Sequence, residues 1–341
     1  MTAKTHSDAA PTLEMVAAKA GVSRATVSRV VNGSPKVSPE ITTAVREAIE
    51  ALNYVPNSAA RSLASRRTQA IALVVPESTA RVFNDPFFAT LVQGVGLALA
   101  DTEYTMSMLI ESEAAFDKTR RYLLGGNVDG ALVVSHHTGD HSYANVSRAL
   151  PVVFGGRPLD AGEQVNHTVD VDNAHGASLA AQHLIDRGRT RIATIAGPQD
   201  MPPGVDRLRG FVDTLVDAGL PADAIEYGDF SPASGANAMR RLLERHPTLD
   251  AVFTANDQMA MGAYSAIAES GRSIPGDVAV IGFDDDRYAA TAVPPLTTVH
   301  QPSLEMGAEM ARVLVRLIDG ETVQPSTILP TSLVILSLIH I

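Results

Sequence analysis

Two hydrophobic rhythms divide the chain. Between residues 11 and 67 the apolar positions recur every three or four residues, the period of a helix with one buried face. Leu13, Val16, Ala17 and Ala20 fall on one face of a first helix, and Gly21 permits the turn that follows. Ser23 is placed to cap a second helix, whose Val27, Val30 and Val31 turn inward. Ser38, Pro39 and Glu40 open a third with a cap, a preset φ and a dipole-matched charge. Ile41, Val45, Ile49 and Leu52 are its expected buried stripe. From residue 69 the rhythm changes to short apolar runs separated by helix-length stretches. The runs are Ile71–Val75, Met106–Ile110, Ala131–Val134, Val152–Phe154, Thr168–Val171, Arg191–Ala196, Ala251–Thr254 and Val278–Phe283. Continuous apolar strands with helical crossovers predict parallel sheets covered on both faces. So many units exceed one doubly wound sheet, which predicts an α/β body of two lobes. Ligands in such folds sit beyond the carboxyl ends of the strands.

Charge separates the same two regions. The chain has 341 residues and a net charge of −11, which by itself argues against nucleic acid. Residues 1–70, however, carry nine basic and five acidic side chains, against 18 basic and 33 acidic in the remainder. A basic head on an acidic body lets one region approach phosphates while the other avoids them. The outward face of the second helix pairs Arg24 with Ser28 and Ala25 with Arg29, each four residues apart. Such a face can offer guanidinium groups to guanine edges and to phosphates in the major groove.

Other chemistry is thinner. With no cysteine, disulfides and thiolate catalysis are excluded. No secretory leader and no membrane-length apolar run stand out, so a cytoplasmic protein is expected. Residues 1–10 read as a disordered tail. Gly94-Val95-Gly96 begins like a dinucleotide fingerprint, but Leu99 replaces the third glycine inside a helical pattern. His136, His137 and His141 lie in a polar loop and lack a fourth zinc ligand. Asp284, Asp285 and Asp286 read as a solvated or capping run. There is no nucleophile elbow and no phosphate loop. No catalytic residue, metal or cofactor is therefore expected, and the chain does not read as an enzyme.

The segments MVAAKAGVSRATVSRVVNG, VSPEI and ALNYVPNSAARSLA resemble, in order and spacing, the LacI-type (LacI/GalR) family of bacterial transcriptional regulators. The resemblance implies a helix-turn-helix DNA-binding domain over 11–56 and a hinge helix with linker over 57–68. Residues 69–341 would form a periplasmic-binding-protein-like, two-lobed effector-binding and dimerisation domain. The chain would cross between lobes near residues 168, 299 and 330. A homodimer on a palindromic operator is implied, repressing carbohydrate-utilisation genes under control of a small sugar. A nucleoside or purine co-repressor is the alternative, and a sugar-binding protein without a DNA role a further one. No leucine heptad stands in the C-terminal residues, so a tetramer-forming tail is not expected.

On this reading Arg24 and Ala25 lie in the major groove, Arg29 touches phosphate or base, and Lys36 touches phosphate. Ser23, Ser28, Asn32 and Tyr54 are candidate phosphate contacts that set register. The resemblance places the hinge helix, from Asn57 to Ser65, in the minor groove with Leu63 wedged between central bases. In the body, strand ends nominate the effector residues. Phe87 or Phe88 can cover a pyranose face, with Phe88 read as core. Arg157 follows the fourth apolar run and can donate two parallel hydrogen bonds. Arg207 and Asp284 match the family's effector-binding arginine and sugar-binding aspartate. Asn256 suits hydroxyl recognition, Asp257 a helix cap, and Arg209 solvent. The first-strand loop PESTARVFNDPFF adds Arg81, and a disaccharide or β-glucoside is the preferred ligand. The apolar end LVILSLIHI reads either as a terminal strand or as a segment foreign to the fold.

Leu63 is a lone leucine on a basic segment with no core of its own to join. Leu63→Ala should weaken operator binding and reduce DNA bending, while effector affinity and dimerisation stay near normal. Circular-permutation gel shifts measure the bend, and an unchanged angle rules out the wedge.

Overall fold

A computed structural model describes residues 11–31, 33–55, 67–111, 116–138, 146–159 and 167–336. Asn32, Asn57, Leu63 and His141 lie outside the described residues, as does most of the expected hinge. The chain forms two compact units, Met1–Thr68 and Gln69–Ile341.

In the first unit three helices follow the apolar spacing: α1 (Leu13–Ala20), α2 (Arg24–Val31) and α3 (Pro39–Ala51). Thr12 Oγ1 accepts from the Met15 amide at 3.3 Å and starts α1. Gly21, at φ 67°, ends α1 in the left-handed conformation that a Cβ disfavours. Ser23 Oγ accepts from the Thr26 amide at 3.1 Å, and Ser38 Oγ from the Ile41 amide at 3.5 Å. Val16, Val27 and Val45 are fully buried, joined by Ala17, Ala48 and Tyr54. Ile49 and Leu52 pack against this cluster, but Ile41 does not: at the first turn of α3 it is 37% exposed, which corrects its expected burial.

The second unit holds two six-stranded sheets. The first lobe contains β1 (Ala70–Val75), β2 (Thr105–Ile110), β3 (Gly130–Val134), β4 (Val152–Gly155), β5 (His167–Val171) and β11 (Ser326–Leu329). Its strand order is β11-β5-β4-β3-β1-β2, and every pairing is parallel. The second lobe contains β6 (Ile192–Ala196), β7 (Ile225–Tyr227), β8 (Ala251–Thr254), β9 (Ala279–Asp284), β10 (Thr297–His300) and β12 (Ser332–Val334). Its order is β12-β10-β9-β8-β6-β7, parallel except for the β10–β12 edge. All eight apolar runs are strands, and all but the edge strand β2 have centres buried on both faces, as parallel sheets require.

The helices are α4 (Thr79–Asn84), α5 (Pro86–Leu99), α6 (Phe116–Leu124), α7 (Asn173–Asp186), α8 (Pro202–Asp217), α9 (Pro232–Arg245), α10 (Asp257–Glu269) and α11 (Ser303–Ile318). No helix among the described residues is long and apolar enough to cross a membrane. Helix α7 follows β5 but packs on α8 and the second sheet, so the chain changes lobe at Asp172. Helix α11 follows β10 but packs on α5 and the first sheet, so the chain returns at Gln301–Pro302. It crosses again at Pro330–Thr331, between β11 and β12. Of the apolar end, Ser332–Val334 is an edge strand antiparallel to β10, and Leu336 packs on the second lobe's core.

Glycines set how closely α5 and α11 approach. A Cβ on Gly94 would fall 1.9 Å from the Leu304 carbonyl oxygen, and one on Gly307 2.2 Å from that of Leu91. Gly96, two residues further along α5, faces open space. The segment that imitates a nucleotide fingerprint is therefore a helix-crossing seam. Gly94→Ala and Gly307→Ala should each destabilise the body by about 1–3 kcal/mol through overpacking. Gly96→Ala should instead stabilise it by up to about 1 kcal/mol, since alanine holds a helix better than glycine. Thermal denaturation of the three variants separates the two effects; equal shifts at positions 94 and 96 would refute the seam.

Candidate functional site

The first unit presents a polar, cationic face. Arg24, Ala25, Arg29 and Lys36 are exposed and Ser28 is half-buried. Arg24 reaches Glu14 at 3.0 Å with both side chains in water. Such a pair is screened and readily exchanged for a phosphate or a guanine edge. The Ser23 hydroxyl is shared with the Thr26 amide and the Thr26 hydroxyl, at 3.1 and 2.9 Å. Tyr54 is only 8% exposed and its ring packs in the helical core, so it serves the fold as well.

In the second unit the carboxyl ends of both sheets border one cleft. The first lobe contributes Arg81, Asp85 and Phe87 after β1, His136 after β3 and Asp170 on β5. The second contributes Met201, Pro202 and Arg207 after β6, Phe230 after β7, Asn256 after β8 and Asp284 at the end of β9. The structure thus brings Phe87, Arg207, Asn256 and Asp284 together.

Arg207 is the centre of the arrangement. Its Nε donates to Asn173 Oδ1 at 2.8 Å. Nη1 donates to the Ala255 carbonyl at 2.6 Å and to Asp284 Oδ1 at 3.3 Å. Nη2 donates to Gln301 Oε1. The guanidinium carbon lies 3.6 Å from the Phe283 ring centroid, so its face is covered as well as its edges. Burial pushes Arg207 below the ordinary guanidinium value, against the pull of Asp284. Burial pushes Asp284 up to about 8, countered by Arg207 and reinforced by Asp85 and Asp286. Asp284 also holds φ at 112°, and Ser135 and Phe230, on the same cleft, have φ of 62° and 68°. Strained backbone of this kind persists where the surroundings over-determine it, most often at binding sites.

Two polar roles differ from expectation. Asn256 is the cap of α10: its Oδ1 accepts from the Met259 amide at 2.9 Å and its Nδ2 donates to the Phe230 carbonyl at 3.0 Å. Asp257 is fully buried, taking the Thr298 hydroxyl at 2.6 Å and the Asp286 amide at 2.9 Å. Burial pushes its carboxyl well above the usual range. Phe88 is core, with Phe87 edge-on to it at 5.3 Å.

Arg157 does not line the cleft. Its Nη2 donates to both carboxylate oxygens of Asp206 of the second lobe, at 2.7 and 2.8 Å, across the rim. Arg209 reaches the same carboxylate at 3.2 Å. His137 forms a second rim bridge, with Nδ1 on Asp200 at 2.8 Å and Nε2 on Glu77 at 3.2 Å. Thr138 donates to the Asp200 carbonyl from both its amide and its hydroxyl, at 2.7 and 2.8 Å. His136 is buried, corrected from the polar loop expected, with Nε2 on the Gly156 carbonyl at 3.2 Å. No metal-ligating cluster occurs among the described residues.

Sequence reasoning missed Phe230, His136, Asp170 and Gln301. Phe230 enters the cleft only because Gly197 leaves room: a Cβ there would lie 2.4 Å from Phe230 Cζ. That glycine, just after an apolar run, was the available signal.

Comparison with known proteins agrees with this geometry. A family model described as bacterial regulatory proteins, lacI family, matches residues 12–57, and one described as a periplasmic binding protein-like domain matches residues 181–335. The HTH-type transcriptional regulator CelR of Thermobifida fusca is 49% identical over 319 residues, spanning 92% of this chain and 94% of its own. The ribose operon repressor of Escherichia coli (strain K12) is 38% identical over 320 residues, with the same coverages of 92% and 94%. Among solved structures, a transcriptional regulator CelR–cellobiose complex superposes with a TM-score of 0.77 at 47% identity, covering 95% of this chain and 98% of that one. The lac repressor dimer bound to operator and the anti-inducer ONPF gives 0.84 at 29% identity, covering 96% and 98%.

Both nitrogens of His137 face carboxylates, so both donate and the ring is a cation. Hydrogen bonding to Glu77 first, and then to Asp200, raises its pKa to about 9 from the ordinary 6.5, against the effect of burial. Its contribution to stability is therefore complete below pH 6.5 and is lost as pH rises through 9. The gap in melting temperature between wild type and His137→Gln should shrink steadily from pH 6.5 to 10. A constant gap over that range means that the bridge is not ionic.

Proposed function

On the premise that this chain belongs to the lacI family of bacterial regulatory proteins and is a sequence-specific DNA-binding transcriptional regulator, we propose that it is a homodimeric cytoplasmic repressor released or reinforced by a β-linked glucose disaccharide. The observation that carries the ligand is the 49% identity, over nearly the whole chain, to a regulator whose solved counterpart is a cellobiose complex. The cleft supports it chemically. Phe87 and Phe230 offer aromatic faces from opposite lobes, and Arg207 with Asp284 offers a donor and an acceptor for hydroxyls.

In this reading the head docks α2 in the major groove. Arg24 exchanges Glu14 for a base edge, Ala25 meets a thymine methyl or fills space, Arg29 meets phosphate or base, and Lys36 meets phosphate. The half-buried Ser28 and the capping Ser23 help set register, with Asn32, Asn57 and Leu63 assigned by resemblance alone. A disaccharide between the lobes contacts residues beside two crossover segments, Asn173 and Gln301 through Arg207. It biases the lobe arrangement by its different affinity for the two states, and the operator-binding equilibrium follows by linkage.

Arg24→Ala should cost about 1–3 kcal/mol on the best operator and relax preference at one position per half-site, whereas Lys36→Ala should weaken all sequences evenly. Selection from randomised sites reads both; unchanged preference in Arg24→Ala would falsify the assignment of α2. Asp284→Asn should abolish the cellobiose response in gel shifts and titration calorimetry while operator binding persists. Wild-type cellobiose affinity in that variant moves the site elsewhere.

A further inference from the structure

Resting on the reading of the cleft as a disaccharide site, we infer that it discriminates by charge: it accepts the uncharged disaccharide and rejects the same sugar carrying a carboxylate or a phosphate.

Three features converge on this. The first is the charge inventory. Two guanidinium groups line the cleft, and each already has a carboxylate partner: Arg207 with Asp284 and Arg81 with Glu77, both at 3.3 Å. Two more lining carboxyls, Asp85 and Asp170, form no ion pair with the cleft arginines, and burial raises the pKa of both. Asp85 accepts from the Phe87 amide at 3.0 Å. Asp170 accepts from the amides of Val171 and Arg157 at 2.8 and 3.2 Å, and from Asn173 Nδ2 at 3.1 Å. The guanidinium of Arg157 is turned to Asp206. His136 adds no positive charge, because burial holds it neutral.

The second feature is the helix ends. Four helices, α5, α7, α8 and α10, begin at the cleft, an arrangement that elsewhere cradles anions on free amides. Here the protein's own groups already take part of that capacity. Asp85, Asp172 and Asn256 occupy the cap positions of α5, α7 and α10 with their own side-chain oxygens. Helix α8 opens with Pro202 and Pro203, which have no amide hydrogen to offer.

The third is hydrogen-bond capacity. Arg207 has four of its five N–H groups committed to protein acceptors. With His136 Nε2 donating to the Gly156 carbonyl, Nδ1 is left as an acceptor. The open capacity of the cleft is therefore mostly acceptors, which hydroxyl groups satisfy and an anion cannot. Hydrolytic cleavage of a glucan, which leaves both ends neutral, supplies such a ligand. Oxidative cleavage to an aldonic acid, or uptake coupled to phosphorylation, does not.

The test is titration calorimetry of the full chain at pH 8.5, above the value of about 8 to which Asp284 is raised, with cellobiose, cellobiitol, cellobionate and cellobiose 6-phosphate. Cellobiitol shares the open chain of cellobionate without its charge, so that pair isolates charge from shape. Cellobionate should bind at least about 100-fold more weakly than cellobiitol, and the phosphate at least about 100-fold more weakly than cellobiose, as like-charge juxtaposition requires. Asp85→Asn should narrow both gaps by about tenfold. Cellobionate binding within tenfold of cellobiitol overturns the inference and leaves the disaccharide reading intact. Silence from all four ligands sinks the disaccharide reading itself, and this inference with it.

Discussion

A single guanidinium, buried where the second lobe meets two of the three crossover segments, is the constraint on which the body depends. Arg207 cannot be sequestered from water without acceptors on every side, and the fold supplies them from four directions. Asn173 begins α7 just after the chain has changed lobe; Gln301 sits where it changes back; Ala255 ends β8; Asp284 ends β9. The aromatic face of Phe283 closes the remaining side. One charge thus ties two strand ends to two of the three inter-lobe connections. A ligand that rearranges these bonds acts on the joints between the lobes directly, and no long chain of intermediates is needed.

The rim serves a different purpose. Arg157–Asp206 and Glu77–His137–Asp200 connect the lobes beside the cleft rather than inside it. These pairs are partly wet, so each is weaker than the buried network and more readily broken. The molecule separates ligand contact, in its dry interior, from lobe-to-lobe adhesion, at its wetter margin. Lobe closure and ligand affinity can therefore be tuned by different residues.

Much of this was legible in the sequence, and the omissions have physical reasons. The eight apolar runs became strands because buried parallel strands must be apolar on both faces, leaving a dense local signal. Strands β7, β10 and β11 escaped because they are three or four residues long and mix polar with apolar positions, and β7 and β11 lie at sheet edges. Arg207 and Asp284 could be nominated because they sit in longer patterns at strand and helix boundaries. Arg157 was placed correctly along the chain, but nothing local fixes that its fork turns to the rim. Asn256 and Asp257 are adjacent and both polar, and only β10, which brings Thr298, decides which is cap and which is buried anchor. Phe230 depends on a left-handed backbone and on an empty space at Gly197, neither of which a hydrophobic pattern records.

The threefold passage between lobes also sets an order of assembly during synthesis. The three helices of the first unit make their contacts within about fifty residues of chain, so that unit is complete early, and local contacts of this kind form fast. Neither sheet of the body can be finished so soon. The first awaits β11 at residues 326–329 and the second awaits β12 at residues 332–334. Helix α11, which covers the first sheet, also arrives only after all of the second lobe but β12 has been made. On the ribosome the nucleic-acid-reading unit is therefore finished long before the unit that governs it, and the two sensing lobes close their sheets almost together.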